Sequence, residues 1–181
     1  MKKPFPNYTQ PDSKDCGPTC LQIVAKYYGK IISIQKIRQL SETVRMGSSL
    51  MGLSNAADAI GFKTIGVKLS LEKLEEVPLP CLLHWNKNHF VVLYKIKNEI
   101  YHISDPAHGL LKYNKEDFLK SWIGNNSSKT TEEGIALLLE TTVKFYDDQW
   151  QEQEEKINLS YLTKYLSKYK KFLWQLIIGL L

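Results

Sequence analysis

Apolar residues recur at helical spacing through the first third of the chain, and turn residues separate the helices. Pro18 suits an early position in a first helix that ends at Gly29. A second short helix is predicted around residues 34–40, and a third over residues 53–60 that stops at Gly61. The N-terminal part of the chain is therefore predicted to be helical. The apolar positions of the first helix are Leu21, Val24, Tyr27 and Tyr28.

The rest of the chain is richer in strand-forming residues, above all after a break marked by Pro78 and Pro80. β-branched, aromatic and aliphatic residues form short runs there, with a turn at Lys97-Asn98. Helices first and antiparallel strands later indicate an α+β domain, with N-terminal helices packed on an antiparallel sheet. The predicted strands are 64–67, 81–85, 89–96, 99–104 and 134–140, and the later predicted helices are 71–76 and 115–122.

The chain divides into three parts by its polarity. Residues 1–140 are predicted to form one domain, residues 141–156 a polar and acidic linker, and residues 157–181 a separate amphipathic unit. Basic residues at 168–171 precede an apolar run at 172–181, as on the cytosolic flank of a membrane helix. That run is shorter than the roughly 20 apolar residues that span a bilayer. We expect it to be the start of a first transmembrane helix; the alternative is an amphipathic helix packed on the domain or lying at a membrane surface.

Composition excludes several classes of protein. A hydrophobic fraction of 43%, with four Trp, ten Tyr and six Phe, supplies a real core, so a wholly disordered chain is excluded. The net charge is +5, but the Lys and Arg residues are scattered among 19 acidic residues and form no basic stripe. This pattern argues against nucleic-acid binding. Three cysteines, an odd number, and an N-terminus without a signal peptide's apolar run point to a reducing cytosol. A free catalytic thiol fits that compartment.

A thiol, an imidazole and a carboxylate occur in an order that suits a thiol hydrolase. Cys16 lies where the first helix begins, and the partial positive charge of a helix N-terminus favours the thiolate that attacks carbonyls. His89 is predicted to act as the base and Asp105 to orient its imidazole, because a β-hairpin brings the two onto neighbouring strands. Gln10 carries the weakest local signal of the four: it lies six residues before the thiol, close enough for its amide, with the backbone N–H of Cys16, to reach a developing oxyanion.

The remaining thiols and imidazoles have structural explanations. Cys20, one helical turn after Cys16, and Cys81, at the head of a strand, are predicted to pack in the core. A zinc site built on Cys16 and Cys20 has poor spacing and no second clear pair of ligands. Asp15 is predicted to cap the first helix. The other histidines are predicted to be strand-end or loop residues with backbone partners: His84, His102 and His108.

Several short motifs form a set that is specific, although Cys-Gly or Asp-Pro alone would mean little. The set comprises Gln10, Asp15-Cys16-Gly17, Leu50-Met51-Gly52-Leu53, His84-Trp85-Asn86, His89-Phe90-Val91-Val92-Leu93 and Asp105-Pro106. It resembles the C39 peptidases, papain-like domains at the N-terminus of bacterial peptidase-containing ABC transporters. The likeness extends over residues 5 to about 140. The linker and the basic-then-apolar tail are similar to the approach to the first membrane helix of those transporters.

The resemblance implies a papain-like fold and the cleavage of precursor peptides after a double-glycine leader, coupled to export at the cytoplasmic face of the bacterial cell membrane. Matched position by position, it makes Cys16 the nucleophile, His89 the base, Asp105 the orienting carboxylate and Gln10 the oxyanion donor. In such enzymes the two glycines pass through a narrow cleft, where only glycine lets the backbone lie close to the wall. Trp85 is our candidate for a wall of that cleft.

The resemblance also implies partners: a precursor peptide with a double-glycine leader, the transmembrane and ATPase domains of an ABC transporter, and the membrane through the C-terminal segment. ATP is expected in a separate nucleotide-binding domain, and no cofactor in this one, because no G-x-x-x-x-G-K-[ST] motif occurs in the chain. Two alternatives stay open, a non-catalytic domain that docks export substrates and a papain-like hydrolase without a transporter. The complete set of Cys16, His89 and Asp105 favours an enzyme over a docking domain.

Overall fold

The structure is a computed structural model that describes residues 4–43, 47–124 and 133–147. Every helix predicted within these ranges is present, and the bounds agree closely with the pattern of apolar residues. The third helix begins three residues earlier than its apolar spacing predicts, because the Ser49 hydroxyl accepts a hydrogen bond from the Gly52 N–H and caps it. The helices are α1 (Cys16–Tyr27), α2 (Ile34–Leu40), α3 (Leu50–Ile60), α4 (Leu71–Glu76) and α5 (Lys115–Trp122).

The strands form a six-stranded antiparallel sheet. Its strands are β1 (Phe62–Leu69), β2 (Cys81–Trp85), β3 (His89–Lys97), β4 (Ile100–Asp105), β5 (Gly109–Tyr113) and β6 (Gly134–Thr141), and their spatial order is β1-β6-β2-β3-β4-β5. The predicted α+β class is therefore confirmed. Two strands differ from the prediction by more than one residue at an end: β1 is longer, because all of it pairs with β6, and β5 was not predicted. The sequence of β5 lacks β-branched residues, so its pairing with β4 supplies the structure that its propensity does not.

The sheet has a hydrophobic core on each face. Alternation along β2 divides the side chains, so that Leu82 contributes to one core and Leu83 to the other. Helices α1, α2 and α3 cover the first core, with Cys16 at its margin. Helices α4 and α5 cover the second. The helix that begins at Cys16 thus packs directly on β3, the strand that begins at His89.

The packed unit continues past residue 140, the boundary expected from the sequence. A 3-10 turn over Val143–Tyr146 follows β6 and places Phe145 in the first core, with its ring centroid 4.5 Å from that of Phe62. The Lys30 ammonium lies 4.6 Å from the centroid of the Phe145 ring. The rest of the predicted linker and the predicted transmembrane start at 157–181 lie outside the described residues. Within the described ranges no helix is both long enough and apolar enough to span a bilayer.

Candidate active site

Cys16 is the first residue of α1 and is 5% exposed. A close approach of α1 to α3 fixes this first turn, since a Cβ added at Gly17 would lie 2.8 Å from the Leu53 Cδ1. The preceding residue, Asp15, does not cap α1 through its side chain, contrary to the sequence-based prediction. Its fully buried carboxylate instead accepts two hydrogen bonds from the Arg38 guanidinium of α2, one of them 2.7 Å from Nε. This ion pair ties the start of α1 to α2.

His89 and Asp105 meet at one end of the sheet. His89 begins β3 and Asp105 ends β4, and because the two strands are antiparallel these ends are neighbours. The His89 Nε2 lies 2.8 Å from the Asp105 Oδ1. An ionised carboxylate only accepts hydrogen bonds, so Nε2 carries the proton and Nδ1 is the nitrogen left for the Cys16 thiol. The hairpin predicted from the sequence brings these two residues together.

The electrostatics of the pair favour the charged form of both partners. Burial disfavours the imidazolium of His89, but hydrogen bonds to Asp105 and Cys16 and the charges of both groups outweigh it and raise the pKa of His89 to about 9. Burial likewise opposes ionisation of Asp105, yet hydrogen bonds from His89, the Ala107 N–H and His108 lower the pKa of Asp105 to about 2. At neutral pH an imidazolium therefore faces Cys16, the arrangement that stabilises a thiolate.

The N-terminal segment brings Gln10 to the same end of the sheet. The backbone N–H of Gln10 donates to the Pro106 carbonyl at 3.0 Å, directly after Asp105. A second tie lies nearby, where the Ser104 hydroxyl donates to the Asn7 Oδ1 at 3.0 Å. The side-chain Oε1 of Gln10 is buried and has no hydrogen-bond partner among the described residues. The backbone of Gln10 is thus held beside the turn that follows Asp105.

One contact at the site is not predicted by the sequence. The Nδ1 of His108 lies 2.9 Å from the Asp105 Oδ2, so the partner of this imidazole is a carboxylate and not the backbone group that was predicted. The spacing of three residues within the Asp105–His108 turn was the available signal, but many turns share it. The other two histidines lie against aromatic rings, His84 beside Phe90 and His102 beside Tyr94.

Trp85 does not line an open cleft. Its indole is 2% exposed and lies in the second core, with centroid distances of 5.4 Å to both Tyr113 and Phe118. This burial leaves it no surface to form a wall against a substrate. Its backbone pairs with that of His89 across the β2–β3 hairpin, so Trp85 supports the strand that carries His89.

The two other thiols are buried in the cores, as their sequence context predicts. Cys20 donates to the Phe90 carbonyl at 3.2 Å, and burial raises its pKa well above the ordinary range. Burial also raises the pKa of Cys81 to about 12. Neither is a nucleophile in this state. Among the described residues no group of three or more His, Cys, Asp or Glu side chains is placed to hold a metal ion.

Comparison with known proteins places the chain in a family. The model of the family described as Peptidase C39 matches residues 5–129. The lactococcin-G-processing and transport ATP-binding protein LagD of Lactococcus lactis subsp. lactis is 36% identical over 121 residues, which cover 64% of this chain and 17% of that protein. The colicin V secretion/processing ATP-binding protein CvaB of Escherichia coli is 31% identical, over 64% of this chain and 16% of its own length. The chain thus spans about a sixth of these relatives.

Solved structures of peptidase domains from transporters are also similar to this chain. A double glycine motif protease from an AMS/PCAT transporter, crystallised with the leader peptide, has a TM-score of 0.68 at 33% identity, over 76% of this chain and 91% of that one. The peptidase domain of Streptococcus ComA, a bifunctional ABC transporter, has a TM-score of 0.67 at 28% identity, over 76% and 99%. The match of the family model covers well over half of the sequence and includes all of Gln10, Cys16, His89 and Asp105. The chain belongs to the Peptidase C39 family.

Proposed function

We propose that this chain is a cysteine endopeptidase domain in which Cys16 is the nucleophile, His89 the general base, Asp105 the orienting carboxylate and Gln10 an oxyanion donor. The observation that carries the proposal is the His89 imidazole, which is bonded to Asp105 at 2.8 Å through Nε2 and interacts with Cys16 as well. A thiol is activated when it interacts with a base that is itself oriented by an acidic group. Neither Cys20 nor Cys81 has such a partner among the described residues.

In the mechanism that follows, the proton of the Cys16 thiol already lies on the Nδ1 of His89, which is an imidazolium at neutral pH, and the Cys16 thiolate attacks the scissile carbonyl. The backbone N–H of Cys16, at the start of α1, and the Gln10 amide stabilise the oxyanion of the tetrahedral intermediate. His89 then protonates the departing amine, which leaves a thioester on Cys16. Water, activated by the same imidazole, hydrolyses the thioester and regenerates the thiol. Asp105 stays ionised and holds the imidazole in place throughout.

The substrate we propose is a precursor peptide that is cut after a Gly-Gly leader motif. Support comes from the double glycine motif protease that was solved with its leader peptide. That protease is 33% identical in sequence to this chain over the aligned residues. The curated relatives are named for processing and transport together, and as ATP-binding proteins. We therefore propose that cleavage is coupled to export by a longer transporter at the cytoplasmic face of the bacterial membrane. The residues after Tyr146, up to residue 156, would link the peptidase to a membrane-associated segment at 157–181, and ATP would bind in a separate domain.

The test is cleavage of a precursor peptide that carries a Gly-Gly leader, with the cut site read by mass spectrometry. Wild type is expected to cut after the second glycine, and Cys16→Ala to lose all detectable cleavage. Cys81→Ala is the matched control, because that thiol is buried on the opposite face of the sheet, and it is expected to keep activity near that of wild type. Equal cleavage by wild type and Cys16→Ala would sink the proposal. Leader binding without cleavage by either protein would instead identify a docking domain.

A further inference from the structure

The Asp105 carboxylate is held by three donors that are unequally shared between its oxygens. Oδ1 accepts from the His89 Nε2 and from the Ala107 N–H, both at 2.8 Å. Oδ2 accepts from the Nδ1 of His108 at 2.9 Å, and no other partner of Oδ2 is found among the described residues. The side chain of Asp105 is 4% exposed, whereas that of His108 is 70% exposed. A surface histidine therefore completes the hydrogen bonds of a buried acid.

We propose that His108 is a positioning residue: its Nδ1–H holds the Asp105 Oδ2 and so fixes the plane of the carboxylate that orients His89. The inference rests on the proposed function, in which His89 is the base. With both remaining donors on Oδ1, a carboxylate without His108 is free to swing about that oxygen. The direction of its lone pairs towards the His89 Nε2 would then vary, and with it the aim of Nδ1 at the Cys16 thiol.

The position of His108 favours this role. Its backbone N–H donates to the Asp105 carbonyl at 3.2 Å, which closes the turn between β4 and β5 and brings the imidazole over the carboxylate. The Nδ1–H donor exists in one tautomer of the neutral ring and in the imidazolium, so the positioning does not require a charge. An amide that places its N–H₂ near the same point should therefore replace it. Asparagine does so, since its Nδ2 is as far along the side chain as the Nδ1 of histidine.

The experiment compares His108→Ala, His108→Asn and the control His102→Ala, an imidazole on β4 that lies against Tyr94 instead. Two rates are measured: alkylation of Cys16 by iodoacetamide at pH 7, located by mass spectrometry, and cleavage of the Gly-Gly precursor. Loss of one net hydrogen bond predicts that His108→Ala lowers the alkylation rate and kcat about 3–10-fold, with KM unchanged. His108→Asn should stay within about twofold of wild type, as one donor replaces another. His102→Ala should match wild type.

Alkylation at the wild-type rate in His108→Ala would overturn the inference. So would equal slowing in His108→Ala and His108→Asn accompanied by an equal fall in Tm, because the residue would then only stabilise the turn. Alkylation needs no leader peptide, so it separates this inference from the proposed substrate. Slower alkylation of His108→Ala with rescue by His108→Asn supports the positioning role even if wild type leaves the precursor uncut, the result that would refute the proposed substrate.

Discussion

The proposed site has two halves that are held by different forces. The helical half consists of residues 15–17 with Arg38 and Leu53, and it is fixed by close packing and by a buried ion pair. The strand half consists of His89 and the turn 105–109, and it is fixed by hydrogen bonds at the ends of two strands. A buried hydrogen bond joins α1 to β3 beside the site, from the Cys20 thiol to the Phe90 carbonyl.

The difference between the halves decides what each tolerates. Asp15 has no exposed side-chain surface, so an unpaired charge there has no water to turn to. The strand half is partly open: the His89 side chain is 18% exposed and that of His108 is 70% exposed. Changes in the helical half should therefore cost stability first, and changes in the strand half should cost rate first. The following substitutions test that division, beginning with the largest expected effect.

Removing Arg38 should break the helical half. In Arg38→Met the Asp15 carboxylate remains buried without its partner, and breaking a buried pair in this way costs about 3–5 kcal/mol. Because the Arg38 side chain is 31% exposed, the free energy of unfolding, measured by urea denaturation, should fall by the lower end of that range or less. The substitution is expected to act on folding and not on the chemical step. The second measurement is therefore the cleavage rate per folded molecule, which should change little.

The double variant Asp15→Asn with Arg38→Met controls for the shape of the arginine. It removes both charges, and well-packed neutral replacements of a buried pair are often no less stable than the pair itself. We expect it to recover most of the lost stability. A single Arg38→Met variant as stable as wild type would show that Asp15 does not depend on this guanidinium, and the division between the halves would fail on the helical side.

Gln10→Ala tests the segment that the strand half holds through the Pro106 carbonyl. The backbone tie does not need the side chain, so the fold should survive and the unfolding free energy should change little. Loss of one oxyanion donor typically lowers kcat about 10²–10³-fold. Single-turnover cleavage measures the chemical step, and leader affinity measures binding. Gln35→Ala, an exposed amide on α2, is the matched control. A Gln10→Ala variant that weakens only leader binding would remove the oxyanion role.

The fold was largely readable from the sequence, because its apolar spacing and its turn residues agree. Gly61, with a φ of 107°, ends α3 where the pattern stops, and Pro78 and Pro80 precede the first central strand. The missed strand, β5, is set by its partner β4 rather than by its own residues. Phe145 looks like part of a polar linker in sequence, and only the structure reveals its place in the first core.

The candidate site was predictable in a different way. The pairing of His89 with Asp105 follows from one hairpin, so local sequence predicts it. The ion pair of Asp15 with Arg38 joins two helices, and the tie of Gln10 to Pro106 joins the N-terminal segment to a distant turn. Contacts of that kind depend on how the elements pack against one another, and local patterns in the sequence do not reveal that packing. Trp85 shows the reverse error, since its nearness to His89 in sequence suggested a place at a cleft, whereas its side chain lies in the second core.

The smallest predicted effect is the pH dependence of stability that the strand half contributes. The folded-state pKa of Asp105, about 2, lies below its ordinary value of 3.8, so its contribution is present above pH 3.8 and is lost as the pH falls through 2. The folded-state pKa of His89, about 9, lies above its ordinary value of 6.5, so its contribution is present below pH 6.5 and is lost as the pH rises through 9. The two contributions coexist between pH 3.8 and 6.5.

Asp105→Asn removes the charge on which both contributions depend. The difference in unfolding free energy between wild type and Asp105→Asn should therefore be largest, at about 2 kcal/mol, between pH 4 and 6.5, and should shrink on both sides. Urea denaturation across pH 2–10 measures it. Arg38→Met should lower the curve without flattening its alkaline limb, because the ion pair of the helical half does not include His89. A difference between wild type and Asp105→Asn that is independent of pH would mean that the strand half is held by shape alone and not by its charges.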